Sequence, residues 1–126
     1  YANHLTIRFA TPVRGQNNDT ATSVIELPNG NYIMAGSTNS STRDFKGVTT
    51  RGKKDIFVAS FNEYGVLVWV RAFGGTENDG ALALCNGADG GYVVVGESLS
   101  NNVDLDGIAP YGGNGKSLAV MVKFPE

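Results

Sequence analysis

One passage of this chain is written twice, sixty residues apart. Gly15, Asn18, Asp19, Ala21, Gly30, Tyr32, Gly36, Ser40, Asp44, Gly47 and Gly52 recur as Gly75, Asn78, Asp79, Ala81, Gly90, Tyr92, Gly96, Ser100, Asp104, Gly107 and Gly112. These are eleven identities over the 38 positions from 15 to 52, well above what composition alone supplies. A repeat of fixed period implies stacked units of one kind, each burying its neighbour's apolar face. Whatever this chain folds into must therefore be built from two copies of one unit.

The unit itself reads as β-structure. The apolar stretches are short, rich in β-branched and aromatic residues, and bounded by Gly, Asn and Asp. In the first unit, strands are expected at residues 21–27 (a), 32–36 (b), 55–61 (c) and 66–73 (d), with a long polar loop over 37–54. The second unit gives strands at 81–85, 92–97 and 117–124, with its polar loop over 98–116. It has no fourth strand. Subtracting sixty aligns Trp69 with Phe9, Phe73 with Val13 and Gly75 with Gly15, so residues 5–13 read as a strand d placed ahead of the first unit. The order is d-abcd-abc: strand 5–13, a first unit of about 15–73, and a second of about 75–124 completed by an N-terminal strand.

The segments Ile56-Phe57-Val58-Ala59 and Tyr92-Val93-Val94-Val95 are continuously apolar instead of alternating. Strands of this kind need cover on both faces. Antiparallel four-stranded sheets, repeated and covered on both faces, are the blades of a β-propeller. The expected fold class is therefore all-β, with two blades. A β-sandwich is the competing arrangement, but its sheets each keep one solvated face. A lone pair of blades is expected to expose outer faces lined by residues such as Tyr92, Val94, Phe57 and Trp69. Two blades cannot close a ring of about four to eight. A homo-oligomeric ring of three or four chains, or the further blades of a longer chain, is expected to complete it.

Composition removes several functions. Hydrophobic residues at 41% and charged residues at 17% suit a globular domain rather than a disordered one. A net charge of −2 provides no basic stripe for nucleic acid. Arg51, Lys53 and Lys54 form the one basic cluster, which Asp55 follows at once. The single cysteine excludes a disulfide within the chain. No apolar run approaches the ~20 residues of a membrane span. The chain begins at Tyr1 rather than Met, as a processed or trimmed chain would.

Three passages carry a family likeness: Gly74-Gly75-Thr76-Glu77-Asn78-Asp79-Gly80-Ala81, Asp89-Gly90-Gly91-Tyr92-Val93-Val94-Val95-Gly96-Glu97-Ser98, and the Asp- and Gly-containing loop that follows. Together they resemble the SBBP-type repeat of bacterial extracellular β-propellers. Asp55-Ile56-Phe57-Val58 and Gly65-Val66-Leu67-Val68-Trp69 look like that family's third strand and its Trp-bearing fourth. The chain departs from the pattern at Lys116-Ser117, where the second unit lacks the Asp, and at Phe9, which replaces Trp. The resemblance implies a secreted or cell-surface propeller and no catalytic residue.

Candidate chemistry is sparse. Asn102, Asp104 and Asp106 alternate ahead of Gly107, the spacing of oxygen ligands before a sharp turn, so calcium is a possible cofactor there. The first unit carries Thr42, Asp44, Lys46 and Gly47 at those places. The recurring Asp–Gly frame is equally a turn device, and Lys46 would oppose a cation. Asp19 and Asp79 precede strand a in each unit and are expected to cap turns. His4 and Cys85 have no catalytic partner in view. Cys85 aligns with Ile25 and is expected to be buried. Most aromatics read as blade packing, while Tyr64 and Tyr111 fall in turns where a stacking surface could form.

The expected function is a binding module for a glycan or surface polymer, held by loops or by clefts between blades. Asn101, Asn102, Asp104, Tyr111, Asn114 and Tyr64 are its candidate ligand-binding residues. A structural scaffold for a protein partner is the alternative. A propeller hydrolase comes third, with no acid–base or nucleophile constellation to support it, so the chain is not expected to be an enzyme. If calcium binds at Asp104 and Asp106, Asp106→Lys copies the first unit and should abolish any calcium-dependent rise in melting temperature. An undiminished rise in that variant would move the site elsewhere.

Overall fold

The computed structural model describes residues 6–40, 43, 54–73, 79–98 and 118–125. Among these residues all regular elements of any length are strands: β1 (Asp19–Glu26), β2 (Tyr32–Thr38), β3 (Asp55–Phe61), β4 (Leu67–Phe73), β5 (Asp79–Asn86), β6 (Tyr92–Ser98) and β7 (Leu118–Phe124). They form two antiparallel sheets, of order β1-β2-β3-β4 and β5-β6-β7. No described helix is long and apolar enough to cross a membrane.

The sixty-residue repeat is reproduced down to its irregularities. Asp19 pairs with Thr38 and Ala21 with Gly36, as Asp79 pairs with Ser98 and Ala81 with Gly96. A bulge falls between Ala21 and Ser23 in one hairpin and between Ala81 and Ala83 in the other. The bulge explains why a glycine recurs at positions 36 and 96 of the repeat. A Cβ on Gly36 would stand 1.8 Å from the Thr20 carbonyl oxygen, and one on Gly96 would stand 2.2 Å from that of Gly80. Backbone cannot yield there, so only Gly fits. The hairpin turns repeat as well: Leu27 N–H donates to Asn31 O and Gly87 N–H to Gly91 O, with Gly30 and Gly90 at φ of 91° and 89°.

The core lies between the sheets. Ile33, Ala35, Ile56 and Val58 of the first sheet meet Ala81, Leu84, Tyr92 and Val94 of the second. The innermost strands are also bonded across the gap. Thr22 Oγ1 donates to Ala81 O at 2.8 Å, and Leu84 N–H donates to Ser23 Oγ at 3.0 Å. A second cluster, Phe57, Ala59 and Phe61, occupies the opposite face of the first sheet. Residues alternate between faces along a strand, so all seven residues of β3 are buried.

Three expectations are corrected. Residues 6–13 are not a strand; they run irregularly over the outer face of the first sheet, where Val13 packs beside Phe57 and Phe61. Leu5 lies outside the described residues. The segment is tied through residues 14–18 to β1, and the first sheet stands between it and β7, so it does not lie along the edge that its place in the repeat calls for. Tyr92, Val94 and Phe57 are buried instead of lining exposed faces, and Trp69 is half-buried. The apolar residues exposed on the outer faces include Val24, Val95 and Met121. Cys85 is exposed. Its counterpart Ile25 is covered by the second sheet, whereas nothing described covers Cys85.

Gly36→Ala should destabilise the fold by ~1–3 kcal/mol or more, the usual cost of overpacking where neighbours cannot move. Urea unfolding measures it as a lowered midpoint at unchanged slope. A midpoint equal to that of the unaltered chain would mean that the bulge does not need glycine.

Candidate functional site

Two aspartates open the hairpins, and the structure gives both a place in the scaffold. Asp19 Oδ1 accepts hydrogen bonds from Thr38 Oγ1 at 2.7 Å and Ser40 Oγ at 2.8 Å, and its Oδ2 accepts from Gly15 N–H at 2.8 Å. Ser40 Oγ in turn accepts from Asn17 N–H. One carboxylate thus pins residues 15–17 to the end of β2, the capping role expected of it. Asp79 is buried, and its N–H donates to Lys54 O, joining the start of β5 to the start of β3.

A cleft of about 280 Å³ opens where the two sheets meet. Trp69 and Arg71 enter it from β4. Being two residues apart, they project from the same face, and the Arg71 guanidinium carbon stands 4.6 Å from the centre of the Trp69 ring. That contact is a cation–π pair, and it orients the guanidinium at the mouth of the cleft. The second sheet supplies Tyr92 and Phe124, which are register partners and stack at 5.3 Å with an interplanar angle of 24°. Asn29 and Asn31, in the turn after β1, and Ser60 of β3 complete the polar rim. Asn31 N–H donates to Asn29 Oδ1, which holds that turn in shape.

Burial pushes the Tyr92 phenol above its ordinary value of 10.0, and the charge of Arg71 offsets part of that rise. The phenol is therefore a neutral hydrogen-bonding group at physiological pH. The cleft combines an aromatic wall, a fixed planar cation and amide groups. This is the composition of a site that orients a polar ligand carrying an apolar face.

A second cleft, of about 300 Å³, lies on the far face of the first sheet and is lined by Phe9, Thr11, Val24, Tyr32, Met34 and Phe61. It is the repeat counterpart of the first. Phe9 and Thr11 stand sixty residues before Trp69 and Arg71, and Tyr32 sixty before Tyr92. Phe61 pairs with Tyr32 as Phe124 pairs with Tyr92. Phe9 meets Tyr32 edge-on at 5.8 Å.

Of the candidate residues drawn from the sequence, Asn101, Asn102, Asp104, Asp106, Tyr111 and Asn114 lie outside the described residues. Tyr64 is described. It is exposed in the turn between β3 and β4, where its N–H donates to Asn62 Oδ1, and it stands apart from both clefts. Among the described residues no group of three or more His, Cys, Asp or Glu side chains is placed to hold a metal ion. Sequence reasoning missed this cleft: it assigned Trp69 to packing and Asn29 and Asn31 to a turn, and gave Arg71 no role. The available signal was Arg71 itself, a charge two residues after Trp in an otherwise apolar strand.

No protein-family model and no curated protein matches the chain.

A raised folded-state pKa for Tyr92 means that the fold favours the neutral phenol. That stability is complete below the unfolded value near 10 and is lost as pH rises through the higher folded value. Tyrosinate absorbance should show a step displaced above the ordinary phenol value of 10.0, and Tyr92→Phe should remove that step. Persistence of the step in Tyr92→Phe would assign it to another tyrosine.

Proposed function

We propose that this chain is a two-blade unit of a secreted or cell-surface β-propeller, and that it binds a glycan or related surface polymer in the cleft between its blades. The observation that carries the reading is the Trp69–Arg71 pair facing Tyr92 across a polar-rimmed cleft. Sugars present an apolar C–H face and a ring of hydroxyls. An aromatic wall suits the first, and a guanidinium fork with amide groups suits the second. The blade reading draws support from two like sheets stacked face to face with both faces of β3 buried. The secreted or surface location rests on the likeness to SBBP-type repeats. The reading is of a binding protein.

The scaffold reading, in which another protein is the partner, is favoured by a different observation: the apolar outer face of the second sheet, with Val95 and Met121 exposed. The two readings use different surfaces and are separable.

Trp69 is the chain's only tryptophan, so its fluorescence reports on the cleft directly. Screening an array of glycans, with and without calcium, and titrating the hits should give a saturable change in that fluorescence. Arg71→Ala should weaken binding roughly ten- to hundred-fold, the range for a lost hydrogen-bonding charge of about 1.5–3 kcal/mol. Val95→Ser should leave it unchanged. Array hits whose binding neither alters Trp69 fluorescence nor responds to Arg71→Ala would place recognition outside this cleft.

A further inference from the structure

The second sheet is one strand short of the first, and β7 has no partner on its outer edge among the described residues. An open edge presents unpaired N–H and C=O groups that favour pairing with another strand. Residues 7–13 are the repeat counterpart of β4, the strand the second sheet lacks. Within one chain they cannot reach β7. We propose that residues 7–13 of one chain add as the fourth antiparallel strand on β7 of a second copy, so that the second sheet of one copy stacks on the first sheet of the next, head to tail.

The interface between the two sheets of one chain is the pattern for this contact. It consists of one face of the first sheet against one face of the second, and the repeat places the counterpart of each on an outer surface. Ala35 is 0% exposed where the second sheet covers it, and its counterpart Val95 is 38% exposed. Val58 is 3% exposed, and Met121, at the same register position in its sheet, is 74% exposed. On the other side, Leu84 is 9% exposed and its counterpart Val24 is 59%. Both halves of the internal contact therefore recur as open surfaces on opposite sides of the chain. They complement each other, and neither complements itself.

The N-terminal segment already occupies its place against one of these surfaces. Phe9 sits against Tyr32 and Phe61 as Trp69 sits against Tyr92 and Phe124, and Thr11 hydrogen-bonds to the Gly65 carbonyl. Only the β7 edge of a neighbour is missing. The register follows from β3 and β4, where Val58 pairs with Arg71 and Ser60 with Trp69. Transferred by the repeat, Met121 pairs with Thr11 and Lys123 with Phe9. Pro12 restricts the added strand to the outside of a sheet, which is where this order puts it. One feature is not repeated: Leu82 and Ala83 replace Thr22 and Ser23, so the hydroxyl bonds between innermost strands have no equivalent. The contact between copies depends instead on apolar area and on the new strand ladder. Contacts of this heterologous kind close into a ring when the rotation per copy divides the circle.

This inference rests on the blade reading but not on glycan binding, because the Trp69 cleft is complete within one chain. The test uses the 126-residue chain with Cys85→Ser. Light scattering should give a whole-number multiple of the single-chain mass. Thr11→Cys and Met121→Cys, carried on separate chains and mixed under oxidising conditions, should form a mixed disulfide. Paired strands hold Cα atoms about 4.5–5.5 Å apart, within reach of that bond. The two substitutions in one chain should give a covalent ladder. A folded monomer, an assembly without the mixed disulfide, or a bridge closing within one chain would each overturn the proposal. The fluorescence response of Trp69 to sugar would survive all three and fails only if the glycan reading fails.

Discussion

A sheet whose middle strand is apolar on both faces cannot stand alone in water. β3 imposes this condition here. Ile56 and Val58 point to one side and Phe57, Ala59 and Phe61 to the other, and every one of them is buried. At roughly 25 cal/mol per Å² of apolar surface, neither face can be left wet in a domain of ordinary marginal stability. The first side is met by the second sheet and the other is partly met by residues 9–13. The inter-sheet core, the position of the N-terminal segment and both clefts follow from covering this strand twice.

The condition also explains how hydrogen bonding is arranged. The two sheets approach closely at β1 and β5, where bulges turn backbone groups out of the ladders. Thr22 and Ser23 supply hydroxyls at that point, and Gly36 and Gly96 supply the space. At the same end, Asp19 gathers Gly15, Thr38 and Ser40 about one carboxylate. A partly buried carboxylate is tolerated when its oxygens accept several hydrogen bonds. Asp19 is thus explained by where the chain enters the first hairpin.

Features fixed by local chemistry were legible in the sequence. The strand over Asp55–Phe61 matches its expected bounds, because the continuous apolar run Ile56-Phe57-Val58-Ala59, with Phe61, falls between the polar Lys54-Asp55 and Asn62. The hairpin turns were legible from Pro28-Asn29-Gly30 and Ala88-Asp89-Gly90. β1 and β5 begin two residues earlier than expected, since Asp19 and Asp79 read as turn formers although their backbones pair with Thr38 and Ser98. Properties set by neighbours in space were not legible. Residues 7–13 carry a strand's sequence, but a strand needs a partner, and the edge their repeat position calls for, that of β7, lies across the first sheet from them. Cys85 and Ile25 occupy one position in the repeat and differ only in whether a further sheet lies above them. The site was the least legible part. Trp69 and Arg71 look like packing and a stray charge until Tyr92 and Phe124, from the other sheet, are brought opposite them.

A site formed where two sheets meet is multiplied by whatever multiplies the meetings. In the head-to-tail assembly we propose, every junction between copies would form a cleft of its own. Phe9 and Thr11 stand there for Trp69 and Arg71, and Tyr32 and Phe61 for Tyr92 and Phe124. The neighbouring copy supplies the opposite rim. Asp89 takes the place of Asn29 and Lys123 that of Ser60, and these two already form a 2.7 Å ion pair in the single chain. The hydrogen bond from Lys123 holds the Asp89 carboxyl below its ordinary 3.8. Each copy then contributes one cleft of its own, with an arginine on tryptophan, and one shared cleft, with an exposed ion pair beside phenylalanine. Such a ring would present two kinds of pocket in alternation around its axis. A repetitive polymer touching several at once would be held more tightly than any one pocket could hold it, through effective concentration alone.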